Sequence, residues 1–278
     1  MIVLEMVILV CLGSILAGLL GSLTGLGGGA VIVPMLVLGF GVDIRYAMGA
    51  SLISVIATSS GAAAAYVRDG FSNIRIGMFL EIATAAGAIV GATLVHKLPT
   101  AYIALVFGSV LIFSALLSLN APHESSLPTE PDRLALLLKM DSSYPTAMGM
   151  KSYCVRGVPA GFSAMFGAGI LSGLLGIGSG AFKVLAMDHI MRLPFKVSAT
   201  TSNFMIGVTA AAGAGVYLRN GYVVPGLAMP VIVGTLLGSA AGTRILLKSN
   251  VRSLRLIFSV VIMALGVEMI YGGITGRL

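Results

Sequence analysis

Two charged residues stand inside apolar stretches of this chain, where a charge is costly and usually has a task. Lys183 follows the run Gly176-Ile177-Gly178-Ser179-Gly180, and Glu81 interrupts the apolar segment from Asn73 to Val95. An ammonium group placed there suits contact with an anion, and a carboxylate suits carriage of a coupling proton. Static roles stand beside both: Lys183 pairing with Asp188 or reaching for the interface, Glu81 pairing with Arg75 or another helix. Asn203 and the hydroxyls of Ser51 and Ser202 add groups that can bind an oxyanion without a fixed charge. Most hydroxyls in such helices bond a neighbouring helix instead. Backbone groups complete the candidate set. Gly27, Gly28 and Gly29, and then Gly178, Ser179 and Gly180, form dense small-residue clusters between apolar runs. With Pro34 following the first, they predict helices that unwind and restart. Unwound backbone in a bilayer is tolerated only where it is buried in protein or lines a cavity. A restarting helix points free N–H groups and a positive dipole end into that space, which suits an anion. The alternative is that the glycines only permit tight helix crossings.

Catalytic chemistry has no support. There is no Ser-His-Asp set, HExxH, CxxC or paired-carboxylate arrangement, and His96, His123 and His189 are far apart. No catalytic residue, metal site or cofactor is expected. The string Gly25-Leu26-Gly27-Gly28-Gly29 is not a nucleotide fingerprint, because no strand precedes it and no P-loop lysine follows.

The glycine cluster is stated twice. Gly29 and Gly180 are 151 positions apart (180 − 29), and that offset also pairs Ser51 with Ser202, Thr58 with Thr209 and Tyr66 with Tyr217. It continues through Arg68 with Arg219, Gly87 with Gly238, Gly91 with Gly242 and Lys97 with Lys248. The chain is a duplicated unit: residues 1–119, a polar connecting loop over 120–150, and residues 151–278.

Composition places that unit in lipid. Hydrophobic residues make up 57% and charged residues 10%, with mean hydropathy +1.03, whereas a soluble domain is roughly a quarter charged. The apolar runs have helix length and lack strand alternation, so an all-α integral membrane protein is expected and a barrel is not. The net charge of +7 then reads as orientation signal, not as a nucleic-acid surface. Cys11 and Cys154 make no disulfide framework. The first segment lacks a preceding basic residue and runs into the first repeat, so it reads as retained.

Each half divides into five segments. These are Ile2–Leu20, Ala30–Phe40, Arg45–Tyr66, Asn73–Val95 and Leu98–Leu119, then Lys151–Leu175, Ala181–Met191, Phe195–Leu218, Tyr222–Leu247 and Val251–Tyr271. Within the loop, Arg133 to Met140 reads as a short amphipathic turn at the interface. Five crossings per half would invert the second half relative to the first. With both termini outside, the inner loops collect Arg68, Arg75, Arg133, Lys139, Lys151 and Arg156, among others, while the outside keeps Arg45, Lys97, Lys183, Arg219 and Arg277. That asymmetry follows the positive-inside rule. Re-entrant short segments would divide the charges almost evenly.

On these residues the sequence resembles the sulfite exporter TauE/SafE family, small bacterial and archaeal permeases with duplicated halves. The resemblance rests on Gly25-Leu26-Gly27-Gly28-Gly29 with Pro34, on Gly176-Ile177-Gly178-Ser179-Gly180, and on Thr201-Ser202-Asn203-Phe204-Met205-Ile206-Gly207-Val208-Thr209. It implies a multi-pass permease of the cell inner (plasma) membrane that moves sulfite, an organosulfonate, thiosulfate or a related anion. Export of sulfite or a sulfonate is the leading expectation, with uptake of an anion such as thiosulfate, or a non-transporting membrane scaffold, as alternatives. The expected partners are the anion and the bilayer; oligomeric state is left open. Ser179 departs from the glycine pattern and Leu185 stands where the first half has Pro34.

Overall fold

A chain in hydrocarbon satisfies its backbone only within helices or closed barrels, and the apolar runs here take the helical solution. A computed structural model of the protein describes residues 3–24, 28–68, 72–119, 132–146, 149–246 and 251–277. The first half folds as α1 (Val3–Thr24), α2 (Gly29–Pro34), α3 (Ile44–Arg68), α4 (Ile74–Leu94) and α5 (Thr100–Leu119). A connecting part contains α6 (Arg133–Leu137) and the strands β1 (Ser142–Thr146) and β2 (Gly149–Tyr153). The second half follows as α7 (Val158–Leu175), α8 (Gly180–Leu185), α9 (Phe195–Arg219), α10 (Pro225–Leu246) and α11 (Val251–Thr275). Among the described residues, Ile74–Leu94, Thr100–Leu117 and Val158–Leu175 are long and apolar enough to cross a membrane. The 21 residues of α4 rise about 32 Å, enough for a hydrocarbon core of ~30 Å. Met78, Ile82, Ile89, Tyr102 and Phe113 are exposed on these helices, as a lipid-facing surface requires. The chain is a helical membrane protein of two homologous halves.

The halves match in detail. α2 and α8 each span six residues, and each continues into a π-helical turn, Met35–Gly39 and Ala186–Ile190. Both turns keep the 151-residue offset (186 − 35). Pro34 falls inside the segment expected over Ala30–Phe40. It is buried at the α-to-π junction, one turn into the restarted helix, rather than at the break. Leu185 holds the same junction in the second half, so proline is not what makes it.

Packing crosses between the halves. α1 lies along α10 and α4 along α7, while α3 faces α9 and α5 faces α11; α4 also meets α9, and α10 meets α3. Exchanging the two halves converts each of these pairs into another of them or into itself. Glycines set the close approaches: Gly169 meets Thr84 and Gly173 meets Ala88, so α4 and α7 run in the same direction. Gly234 meets Cys11 and Gly238 meets Ile15, giving α1 and α10 the same relation. Direction reverses in the other two pairs. Gly266 meets Gly108 while Gly273 meets Ala101, and Gly207 meets Ser59 while Gly213 meets Leu52, so α5/α11 and α3/α9 are antiparallel.

The connecting part holds the main departure from expectation. The helical segment expected from Lys151 begins instead at Val158, because Ser142–Thr146 pairs antiparallel with Gly149–Tyr153. Alternation in these short stretches is masked by serines and a proline, which is why the hairpin is not legible in the sequence. The amphipathic turn does form, with Ala135 buried and Leu136 and Leu137 exposed. Residues 120–131 of the expected loop lie outside the described residues. Asn73 ties the hairpin down: its side chain donates to Met140 O and to Tyr153 Oη, both at 2.8 Å. Its backbone N–H donates to Thr201 Oγ1 at 3.0 Å, and its Oδ1 caps α4 by accepting from Ile76 N. Arg75 donates to Lys139 O, not to Glu81.

The glycine contacts predict opposite outcomes for the same substitution. A Cβ on Gly173 would fall 2.8 Å from Ala88 Cα, so Gly173→Ala must separate α4 from α7 and should destabilise by about 2 kcal/mol. Gly215 has no atom within 4 Å of its would-be Cβ, so Gly215→Ala should stabilise by about 0.5–1 kcal/mol. Thermal unfolding of both variants in detergent checks the pair; equal shifts would contradict the packing.

Candidate functional site: the meeting of the two helix breaks

The second break is built from left-handed backbone. Gly176 (φ 69°), Gly178 (φ 74°) and Ser179 (φ 47°) follow one another closely between α7 and α8. Glycine adopts this region freely, while a side chain there costs about 1–2 kcal/mol. Ser179 bears that cost, and its buried hydroxyl has no hydrogen-bond partner among the described residues. Its counterpart Gly28 is buried with an ordinary φ of −65°. Gly27 lies outside the described residues, as do Gly25 and Leu26.

The two breaks touch. A Cβ on Gly29 would lie 3.1 Å from Ile177 Cα and 3.2 Å from Gly176 O, so the start of α2 rests directly on the end of α7. Ser51 of α3 donates to Gly176 O at 2.7 Å, joining the first half to the second break. Ser202 of α9 donates to Gly180 O at 3.2 Å. In this conformation both hydroxyl protons are therefore spent on backbone carbonyls. Asn203 is half-buried on the flank of α9, one turn before Gly207, which packs on Ser59; it is not on the fully buried stripe of that helix.

Lys183, one turn into α8, is fully buried. Its Nζ donates to Thr209 Oγ1 of α9 at 2.5 Å. Thr209 in turn donates to Glu81 Oε1 of α4 at 2.6 Å, and the charged ends, Nζ and Oε2, are 4.0 Å apart. Thr84 Oγ1 lies 3.3 Å from the Thr209 hydroxyl. Glu81 Oε2 is buried without a hydrogen-bond partner among the described residues. The structure thus joins Lys183 and Glu81, which the sequence presents separately, through a threonine that sequence reasoning missed. A signal for Thr209 existed: it pairs with Thr58 in the repeat and closes the polar run of α9. Asp188 does not meet Lys183 and instead lies 3.5 Å from His189 Nδ1. Neither charge has a partner position in the first repeat scheme, since Lys183 corresponds to Ile32 and Glu81 to Ile232.

Magnitudes say what this pair is not. Two charges at this separation attract by about 4 kcal/mol at an effective dielectric near 20, while removing each from water costs several kcal/mol. With one carboxylate oxygen lacking a hydrogen bond, the pair does not stabilise the fold relative to the two isoleucines its repeat mates carry. Charges buried at net cost inside a membrane make this pair the candidate site. Among the described residues no group of His, Cys, Asp and Glu could hold a metal ion.

These features define a helical membrane protein with two broken-helix repeats and a charged centre buried between them. The profile of the family described as "Sulfite exporter TauE/SafE" matches residues 10–269, and the chain belongs to that family. Among curated proteins it is 30% identical to the probable membrane transporter protein YunE of Bacillus subtilis (strain 168), covering 96% of this chain and 98% of the other. It is 27% identical to the probable membrane transporter protein YdhB of the same organism, over 85% and 89% of the two chains. A third relative, the probable membrane transporter protein MJ0441 of Methanocaldococcus jannaschii, is 25% identical over 92% of each. No solved structure matches this chain. The protein is a membrane transporter.

The break geometry yields its own test. Ser179→Gly relieves the left-handed strain and should raise stability by about 1 kcal/mol. Gly178→Ala should lower it by at least as much, because its Cβ would sit 2.9 Å from Ile206 Cγ2 at φ 74°. Thermal melts that rank the two variants in the reverse order would contradict the assigned backbone.

Proposed function

We propose that the protein is a secondary transporter that exports a small sulfur-containing anion, sulfite or an organosulfonate, across the inner membrane. The observation that carries this reading is the fully buried Lys183 ammonium one turn from the contact of the two helix breaks. An anion is the natural ligand of an ammonium that lacks water, and the uncommitted Ser179 hydroxyl supplies a second donor. Gly28, Gly29, Gly178 and Gly180 let backbone approach the anion closely, and Gly27, outside the described residues, is proposed for the same role. Ser51, Ser202 and Asn203 line the route and exchange their present partners for it when the site opens. The family description and the names of the relatives support a transporter of this class. Nothing in the charged centre resembles a nucleophile–base pair, so we assign no catalysis.

Transport across such a site needs access from each side in turn. We propose that the halves are inverted repeats about a pseudo-twofold axis in the membrane plane. The support is directional: α3 runs antiparallel to its repeat mate α9, and α5 to α11. A twofold that maps a helix onto an antiparallel mate lies across the helix axes, not along them. Together with the positive-inside bias, this supports an orientation with both termini outside and the connecting part inside.

Two measurements test these readings. Gly28→Leu should abolish saturable flux of sulfite or a sulfonate from proteoliposomes while the protein stays monodisperse in detergent; surviving flux removes the break from the pathway. Cysteine introduced at Ser125, outside the described residues, should resist an impermeant thiol reagent added to intact cells. Labelling from outside would reverse the assigned orientation.

A further inference from the structure

We infer that the transported species is a monoanion that displaces Glu81 from Lys183, and that Glu81 takes up a proton as it does so. This rests on the transport reading above and adds the charge of the cargo and its coupling to protons. The geometry is a pair held apart but linked. Lys183 Nζ has three protons to donate, and the Thr209 hydroxyl accepts one of them at 2.5 Å. The nearest carboxylate oxygen is 4.0 Å away, beyond hydrogen-bonding distance. Glu81 Oε1 is engaged by Thr209 at 2.6 Å, while Oε2 is buried and has no partner among the described residues. One oxygen is thus anchored, and the other is the open position for a proton.

Charge balance then selects the cargo. In the empty state Lys183 and Glu81 cancel. An anion arriving at Lys183 without a proton would leave an uncompensated negative charge in an apolar core, which is strongly disfavoured; protonating Glu81 restores neutrality with one negative charge on the cargo. A dianion would need a second proton acceptor at the site. Among the described side chains no facing element supplies one. α7 carries no titratable side chain, and α8 carries Lys183 alone. The π-helical turn after α8 carries Asp188 and His189, which face each other. On α9, Tyr217 is bonded to Gly173 O, while Lys196 and Arg219 are exposed near the helix ends. On α4, Arg75 turns to Lys139 O, and on α3, Arg45 turns to Leu98 O, with Tyr46 beside it packed on Tyr222.

The step balances simply: one proton from solution bonds to Glu81 Oε2, one monoanion replaces the carboxylate beside Lys183, and both leave together on the other side. Movement is electroneutral, and its direction follows the combined gradients of anion and proton. An anion produced in excess inside the cell is carried out with a proton. The chemical class is R–SO3− or hydrogen sulfite, not sulfate or another dianion.

The test uses the full chain in proteoliposomes with methanesulfonate, which is a monoanion throughout the working pH range, and sulfate as the dianion. The expected result is one proton moved with each methanesulfonate, read by a trapped pH dye. The rate should be indifferent to a clamped membrane potential, and sulfate should be at least about a hundredfold slower. E81Q should move no proton with the anion and become sensitive to the potential. T209V should weaken the proton link, and T209S should restore it. If E81Q fails to fold, dye-detected proton uptake when methanesulfonate binds wild-type protein in detergent decides the matter. Wild-type flux that carries charge, sulfate moving as fast as methanesulfonate, or binding without proton uptake would each overturn the inference while leaving transport intact. Absence of both binding and flux for either anion would instead overturn the transport reading, and this inference with it.

Discussion

Everything in this fold answers to one constraint: a peptide group inside a bilayer must find its partner within the protein. Two helices here end in mid-course, and each end would leave carbonyls and N–H groups in a medium that cannot bond them. The solution is to lean one break on the other. Gly29 comes within van der Waals reach of Gly176 and Ile177, and Ser51 crosses from the first half to cap the Gly176 carbonyl. Neither break is tolerable alone, so the contact between halves is a condition of having breaks at all. The glycine-lined crossings of α4 on α7 and α1 on α10 follow, because helices must approach closely to bring the breaks together.

Near-symmetry makes the asymmetry informative. The α-to-π junctions coincide to the residue under the repeat offset, so backbone geometry has been kept while side chains diverged. The divergence includes two buried charges. Lys183 and Glu81 face isoleucines in the repeat scheme, and they converge on Thr209 from different helices and different halves. A symmetric frame thus holds a single, asymmetric centre. Ser179 adds to it with a strained backbone and an unbonded hydroxyl, the kind of local cost that surrounding structure sustains at working sites.

How much of this was legible in the sequence depended on range. The apolar helices, the interruption of a helix in each half and the repeat offset rest on local apolar runs and on glycine spacing, and they read almost directly. Lys183 and Glu81 announced themselves by being charged among apolar neighbours. Their union did not, because α4 and α9 are brought together only by crossings between halves. Thr209 was visible as a repeat mate and as the end of a polar run, but a hydroxyl in a membrane helix usually serves its own backbone, and nothing local marks the exception. The hairpin was hidden for a different reason: five-residue strands rich in serine carry too little periodicity.

The crossing of α4 and α10 between halves has a consequence for ancestry. Each repeat surrenders its fourth helix to the other, where it supplies the main neighbour of the first helix, and it receives one in return. A chain of a single repeat would therefore present two incomplete seams, one along its first helix and one along its fourth, each shaped for a copy of the other. Such a chain completes both seams only by pairing reciprocally with a second copy of itself. In a single joined chain the two halves need not be identical, and here one lysine and one glutamate stand on opposite sides of the join.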